Sequence, residues 1–191
     1  SDIRGFTRMS ERMQPEEVVL LLNEYFSLMI DIVFKYDGML DKFIGDCVMA
    51  VFGAPEGHPD DAIRAVRTAL EMRDAVRRFN DRRAKEGKEM IQAGIGINSG
   101  QAVAGSIGSL ERMEYTVIGD NVNLASRLTS SAVSGQILIS EQTYRKVGNY
   151  VRAAKLPSIQ VKGKEALVDI YEIEDLAAAE TVAMPGGGQR Q

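Results

Sequence analysis

A chain of 191 residues, 45% hydrophobic and 26% charged, has the size and balance of one globular domain with a sizeable core. Its formal net charge of −4 argues against a general nucleic-acid binder, which needs a basic face, but leaves room for a nucleotide held by a few placed lysines and arginines. One cysteine and one histidine exclude an internal disulfide, a zinc centre and Cys-His catalysis, and a lone thiol fits a reducing compartment.

The chain opens with SDIRGFT, in which Ser1-Asp2-Ile3 reads as the end of a strand. A helix is predicted from Pro15, because proline suits a first helical turn, to about Tyr36, with a stop at Asp37-Gly38. Val18, Leu21, Leu22, Tyr25, Leu28, Met29 and Ile32 give it an apolar stripe close to a 3.6 period. This is the most apolar part of the chain, yet Asn23, Glu24 and Asp31 make it a buried helix rather than a membrane span. No signal peptide or membrane segment is visible, and a cytoplasmic location is expected.

A hairpin follows, Met39 to Ile44 and Cys47 to Phe52, turning at Gly45-Asp46. Glycine first in a two-residue turn suits type II′. Cys47 reads as a small core residue. A second helix is predicted from Pro59 to about Glu86, with a solvated basic end. Strands are expected at Ile91 to Asn98, Ala102 to Ser106 and Glu114 to Ile118, with residues 106–113 as an exposed loop or arm. A third helix begins near Asp120, its expected N-cap, and covers NVNLASRLTSSA. Then come a strand at QILIS, a short helix at EQTYRKVG, and strands near Val151 to Ala154, Ile159 to Val161 and Val168 to Ile173. The tail, residues 175–191, has little to bury and is expected to be disordered. The order implies one α+β domain over residues 1–174, with helices covering one face of a mixed or antiparallel sheet.

Two carboxylates stand out. Asp2 ends a strand and Asp46 sits at a hairpin tip, so neighbouring strands would project both from one sheet edge. Such a pair can hold Mg²⁺, which completes its shell with water and substrate phosphate, although Gly-Asp alone is also an ordinary turn pair. In EYTVIGDNVNLASRL, Asn123 and Arg127 lie four apart and share a helix face, placing an amide and a guanidinium where a sugar oxygen and a phosphate could sit. In VKGKE, Lys162 and Lys164 are either a phosphate site or a solvated pair.

Together, SDIRGFT, DKFIGDC, EYTVIGDNVNLASRL and VKGK closely resemble the class III nucleotidyl cyclases, over about residues 1–174. The resemblance implies a ferredoxin-like βαββαβ core with extra C-terminal β and α elements. It implies conversion of ATP to 3′,5′-cyclic AMP and pyrophosphate, with two Mg²⁺ or Mn²⁺ ions per site. Asp2, Asp46 and the Ile3 backbone carbonyl are the implied metal ligands. Lys42 and Thr116 are the implied base-selecting pair, Asn123 orients the ribose, Arg127 stabilises the transition state and Lys162 holds the triphosphate.

Base choice follows from chemistry: lysine only donates and suits adenine N1, whereas guanine N1 carries a hydrogen. Family members that use GTP usually carry glutamate at the lysine position. Thr116 stands where many relatives have aspartate, a departure shared by a bicarbonate-responsive subgroup, so bicarbonate activation is an expectation. The resemblance leaves the general base open among Asp2, a substrate phosphate and water. It also implies a site shared between two domains. Since this one chain holds the whole set, a homodimer is expected. Lys42 and Asp46, ~13 Å apart on an extended strand, would then serve different ATP molecules. A guanylyl cyclase and a catalytically inactive regulatory domain are the rival readings. A diguanylate cyclase or polymerase is disfavoured because FIGDC does not resemble GGDEF. The abrupt start is expected to reflect a longer protein with sensory modules upstream.

Overall fold

The protein is described by a computed structural model covering residues 1–160 and 167–178. Chain order is β1 (Asp2–Ile3), α1 (Phe6–Ser10), α2 (Pro15–Lys35), β2 (Met39–Ile44), β3 (Cys47–Val51), α3 (Asp61–Lys85), β4 (Ala93–Ile97), β5 (Val103–Ser109), β6 (Arg112–Ile118), α4 (Asp120–Ser131), β7 (Ile137–Ser140), α5 (Glu141–Val147), a 3₁₀ turn (Gly148–Tyr150), β8 (Val151–Ile159) and β9 (Val168–Leu176).

Helix α2 begins where Pro15 needs no N–H partner and Glu17 accepts the Gln14 amide at 3.0 Å. It ends where Asp37 takes a left-handed φ of 53° and the Gly38 amide returns to the Val33 carbonyl at 2.9 Å. Leu21, Tyr25, Met29, Ile32 and Val33 form its buried face. Each fully buried side chain of this kind contributes roughly 1.5–3 kcal/mol.

The main sheet has five strands in the order β1-β4-β7-β9-β8. β4 and β7 run parallel, and the other neighbours are antiparallel. On the far side of β1, Ser1 and Val48 exchange backbone hydrogen bonds of 2.9 and 2.8 Å, so β3 runs alongside. The order through the first half is therefore β2-β3-β1-β4, the ferredoxin-like arrangement expected.

The helices do not all lie on one face. α2 and α3 pack with Ile137, Ile139 and Ile173. Helix α4 packs through Leu124, Leu128 and Ala132 onto Leu138 and Ile170, which point the other way. Strand β7 is buried at every position because it is covered from both sides. Gly96 permits the second layer: a Cβ there would lie 2.2 Å from the Thr129 backbone nitrogen, so α4 rests directly on β4.

Three further features differ from the sequence expectations. Residues 106–113 are not a loop but the outer part of the β5–β6 hairpin, paired out to Ser109 and Arg112. The short helix α1 was not anticipated, because five residues are too few to show a period. β8 is one strand through Pro157, which sits on the sheet edge at an irregularity between Leu156 and Ile159, where no ladder N–H is needed. Part of the expected tail, residues 179–191, lies outside the described residues, as does Lys162.

Candidate active site

The pairing of Ser1 with Val48 sets the hairpin tip beside the strand that carries Asp2. Gly45 makes the tip, with a φ of +63° that supplies the positive angle needed first in a type II′ turn. Asp46 Oδ2 accepts the Ile3 backbone N–H at 2.9 Å. Burial, and then the adjoining Asp2 carboxylate, push Asp46 up to about 6. Two acids this close resist double ionisation and call for a counter-charge. Arg4 supplies one: it pairs with Asp2 and donates to the Thr129 and Ala132 carbonyls at 3.0 and 3.1 Å. Those carbonyls lie at the C-terminal end of α4, so Arg4 ties the acidic strand to that helix.

The donor set fits a hard divalent cation. Mg²⁺ favours oxygen donors and takes one or two protein carboxylates, the rest of its shell coming from water and phosphate. Among the described residues no group of three or more His, Cys, Asp or Glu side chains gathers, so this pair suits an ion that shares its shell with substrate.

Lys42 and Thr116, the pair expected to select the base, come together around a residue that sequence reasoning missed. Thr116 Oγ1, on β6, donates to Asp41 Oδ2 at 3.0 Å, and Lys42 Nζ lies 3.5 Å from the same oxygen. The Asp41 side chain is 0% exposed. Its burial has a local cause: the β2–β3 register shifts between Leu40 and Lys42, leaving Asp41 as the extra residue of a bulge. A bulge re-aims a side chain that regular alternation would place elsewhere. Asp41 Oδ1 is buried without a hydrogen-bond partner among the described residues.

On α4, Leu124 and Leu128 are buried while Asn123 and Arg127 are exposed one turn apart, as their spacing predicted. Neither polar side chain makes a hydrogen bond among the described residues, so both are available to a ligand. The start of α4 is fixed from the side. Asn98 Nδ2 donates to the Asn121 carbonyl at 3.0 Å, Asn121 Nδ2 to the Gln101 carbonyl at 2.8 Å, and Ser140 Oγ to Asn98 Oδ1 at 2.6 Å. Gly100 leaves space for this network, since a Cβ there would lie 2.3 Å from the Asn121 side chain.

A cavity of about 260 Å³ lies elsewhere, under Arg73, Asn80 and Gln136, and none of the expected site residues lines it. The β5–β6 hairpin leaves Val103, Ile107, Met113, Tyr115 and Ile118 exposed. No helix among the described residues is long and apolar enough to cross a membrane.

The chain matches the family described as the adenylate and guanylate cyclase catalytic domain over residues 1–175. It is 36% identical over 181 residues to adenylate cyclase 1 of Rhizobium meliloti (strain 1021), covering 94% of this chain and 27% of that protein. The chain thus spans about a quarter of that relative's length. The crystal structure of the adenylyl cyclase CyaB from P. aeruginosa is similar with a TM-score of 0.87 and 38% identity, over 95% of this chain and 93% of that one. The guanylyl cyclase Cya2 is similar at a TM-score of 0.87 and 39% identity, over 95% and 92%.

Proposed function

The chain belongs to the adenylate and guanylate cyclase catalytic domain family, and on that premise we propose that it converts ATP to 3′,5′-cyclic AMP and pyrophosphate at sites shared between two copies of itself. The carrying observation is the meeting of Lys42 and Thr116 at Asp41: a donor for adenine N1 stands beside a hydroxyl suited to the adenine amino group. A guanine would set its N1 hydrogen against the lysine ammonium.

Asp2 and Asp46, with the Ile3 carbonyl, are the residues that would hold two Mg²⁺ or Mn²⁺ ions. Such ions, when bound, lower the pKa of the ribose 3′-hydroxyl and neutralise phosphate charge. Asn123 holds the ribose so that the 3′-oxygen lies in line with the α-phosphorus. The 3′-oxygen attacks, and the bond to the pyrophosphate oxygen breaks. Arg127 offsets the charge that builds on the α-phosphate, an effect of roughly 10²–10³ in rate for one well-placed donor. Lys162, outside the described residues, binds the triphosphate and the leaving pyrophosphate.

Two copies are required because Lys42 and Asp46 lie on one hairpin yet serve opposite ends of a nucleotide. Asp2 and Asp46 come from one copy, and Lys42, Thr116, Asn123, Arg127 and Lys162 from the other. The exposed apolar side chains of the β5–β6 hairpin support this. Catalysis in the cytoplasm, where ATP is supplied, fits this reading.

The test is incubation of the protein with ATP or GTP and Mg²⁺ or Mn²⁺, measuring cyclic product for wild type and Asp46→Ala. Cyclic AMP from the wild type and almost none from the variant is expected. Cyclic GMP in preference to cyclic AMP would favour the guanylyl reading, for which Cya2, a guanylyl cyclase, is a similar structure. Bicarbonate activation belongs to the same proposal through Thr116, and a bicarbonate series at constant pH with an unchanged rate removes it.

A further inference from the structure

The Asp41 side chain is fully buried, sits in a bulge, and touches both members of the proposed base-selecting pair. An ionised carboxylate only accepts. The Thr116 hydroxyl has one proton, and at 3.0 Å that proton points to Asp41 Oδ2. What remains on the hydroxyl oxygen is acceptor capacity alone. A hydroxyl that rotates freely can serve a 6-amino or a 6-oxo purine, but one whose proton is committed inward can serve only the amino group.

We propose that Asp41 is a positioning residue for base selection, holding the Thr116 hydroxyl proton so that Thr116 reads the 6-amino group of the purine as a fixed acceptor. The same carboxylate keeps the Lys42 ammonium within 3.5 Å, on the side that the base must approach. The Lys42 side chain is 35% exposed and Thr116 only 6%, so the lysine is the more open member of the pair.

This inference rests on the ATP reading above, and its test separates the two. ATP is compared with purine riboside triphosphate, which lacks the 6-amino group but keeps the N1 acceptor, by kcat/KM for cyclic product. Any loss at Lys42 acts on both nucleotides alike and cancels in the ratio, as does a change in the amount of folded enzyme. Wild type should prefer ATP by about tenfold, the scale of one hydrogen bond. Asp41→Asn should bring the ratio down to about two or less, because an amide can donate to Thr116 and release its proton. Asp41→Leu, which removes the acceptor and frees the Thr116 hydroxyl to rotate, provides a second variant of similar size and should lower the ratio in the same way. Thr116→Val should abolish the preference, and adding Asp41→Asn to it should change the ratio no further. Either Asp41 variant keeping the wild-type ratio, or a wild type without preference, overturns the role of Asp41 while leaving cyclic AMP synthesis intact. A wild type that makes no cyclic AMP overturns both readings.

Discussion

Ile3 donates its backbone N–H to Asp46 Oδ2 across 2.9 Å, which latches the hairpin tip to the strand carrying Asp2. The latch brings a second carboxylate to the sheet edge, and its cost shows in Asp46, pushed up to about 6 by burial and by Asp2.

That shift has a direction in stability. Without metal, folded Asp46 holds its proton to about pH 6, whereas an unfolded aspartate loses it near 3.9. The folded state thus binds more protons between those values, and stability falls as pH rises through that window, then stays lowered. Asp46→Asn, neutral throughout and still able to accept from Ile3, should melt a few degrees above wild type at pH 7.5 in chelator. The advantage should vanish by about pH 4. Melting scans across pH check this, and a constant difference at every pH would refute it. Mg²⁺ should stabilise the wild type at pH 7.5 and lose that effect as pH drops through about 6, where Asp46 protonates.

Complementation follows from the proposed shared site. Asp46→Ala and Arg127→Ala should each be nearly inactive alone. Mixed under conditions of subunit exchange, they should recover about a quarter of wild-type activity: half of random pairs are mixed, and each mixed pair has one intact site of two. Absence of any recovery, with exchange verified by tagged subunits, would count against a site built from two copies.

Arg127 is exposed and unpaired among the described residues, so its removal should not disturb the fold. Arg127→Ala should lower kcat by roughly 10²–10³ with little change in KM, because the group acts on charge that develops only in the transition state. Arg127→Lys should rescue only part of this, since an ammonium lacks the planar fork that meets a phosphate.

Gly96→Ala probes the α4 layer. The added methyl would meet the Thr129 nitrogen at 2.2 Å and the Ala125 carbonyl at 2.7 Å, backbone atoms that cannot swing aside. A loss of about 1–3 kcal/mol in urea unfolding is expected. Activity should fall with it, because the displaced helix carries Asn123 and Arg127.

The sequence is most informative where local chemistry is strong. Pro15 and the stripe from Leu21 to Ile32 mark α2 almost to the residue, and Gly45-Asp46 marks the hairpin. Asn123 and Arg127 can be placed on one face by spacing alone. Asp41 stays hidden because nothing in GMLDKFIGD signals the bulge, and an acid beside Lys42 reads as an ordinary solvated pair. The β5–β6 turn at Leu110-Glu111 lacks the glycine or asparagine that flags a tight turn, so the outer residues of its strands, 106–113, read as a loop or arm. The two-sided burial of β7 comes from tertiary packing, and four apolar-rich residues do not reveal which faces are covered.

The irregularity at Asp41 interrupts the register of the hairpin at one point. Beyond it, Lys42, Phe43 and Ile44 keep regular partners in Met49, Val48 and Cys47, right up to the turn that presents Asp46. On the proposed roles, a change of side chain at position 41 would alter what the purine meets without moving the turn that carries Asp46. Nucleobase preference would then drift by point substitution while the carboxylate pair stays put.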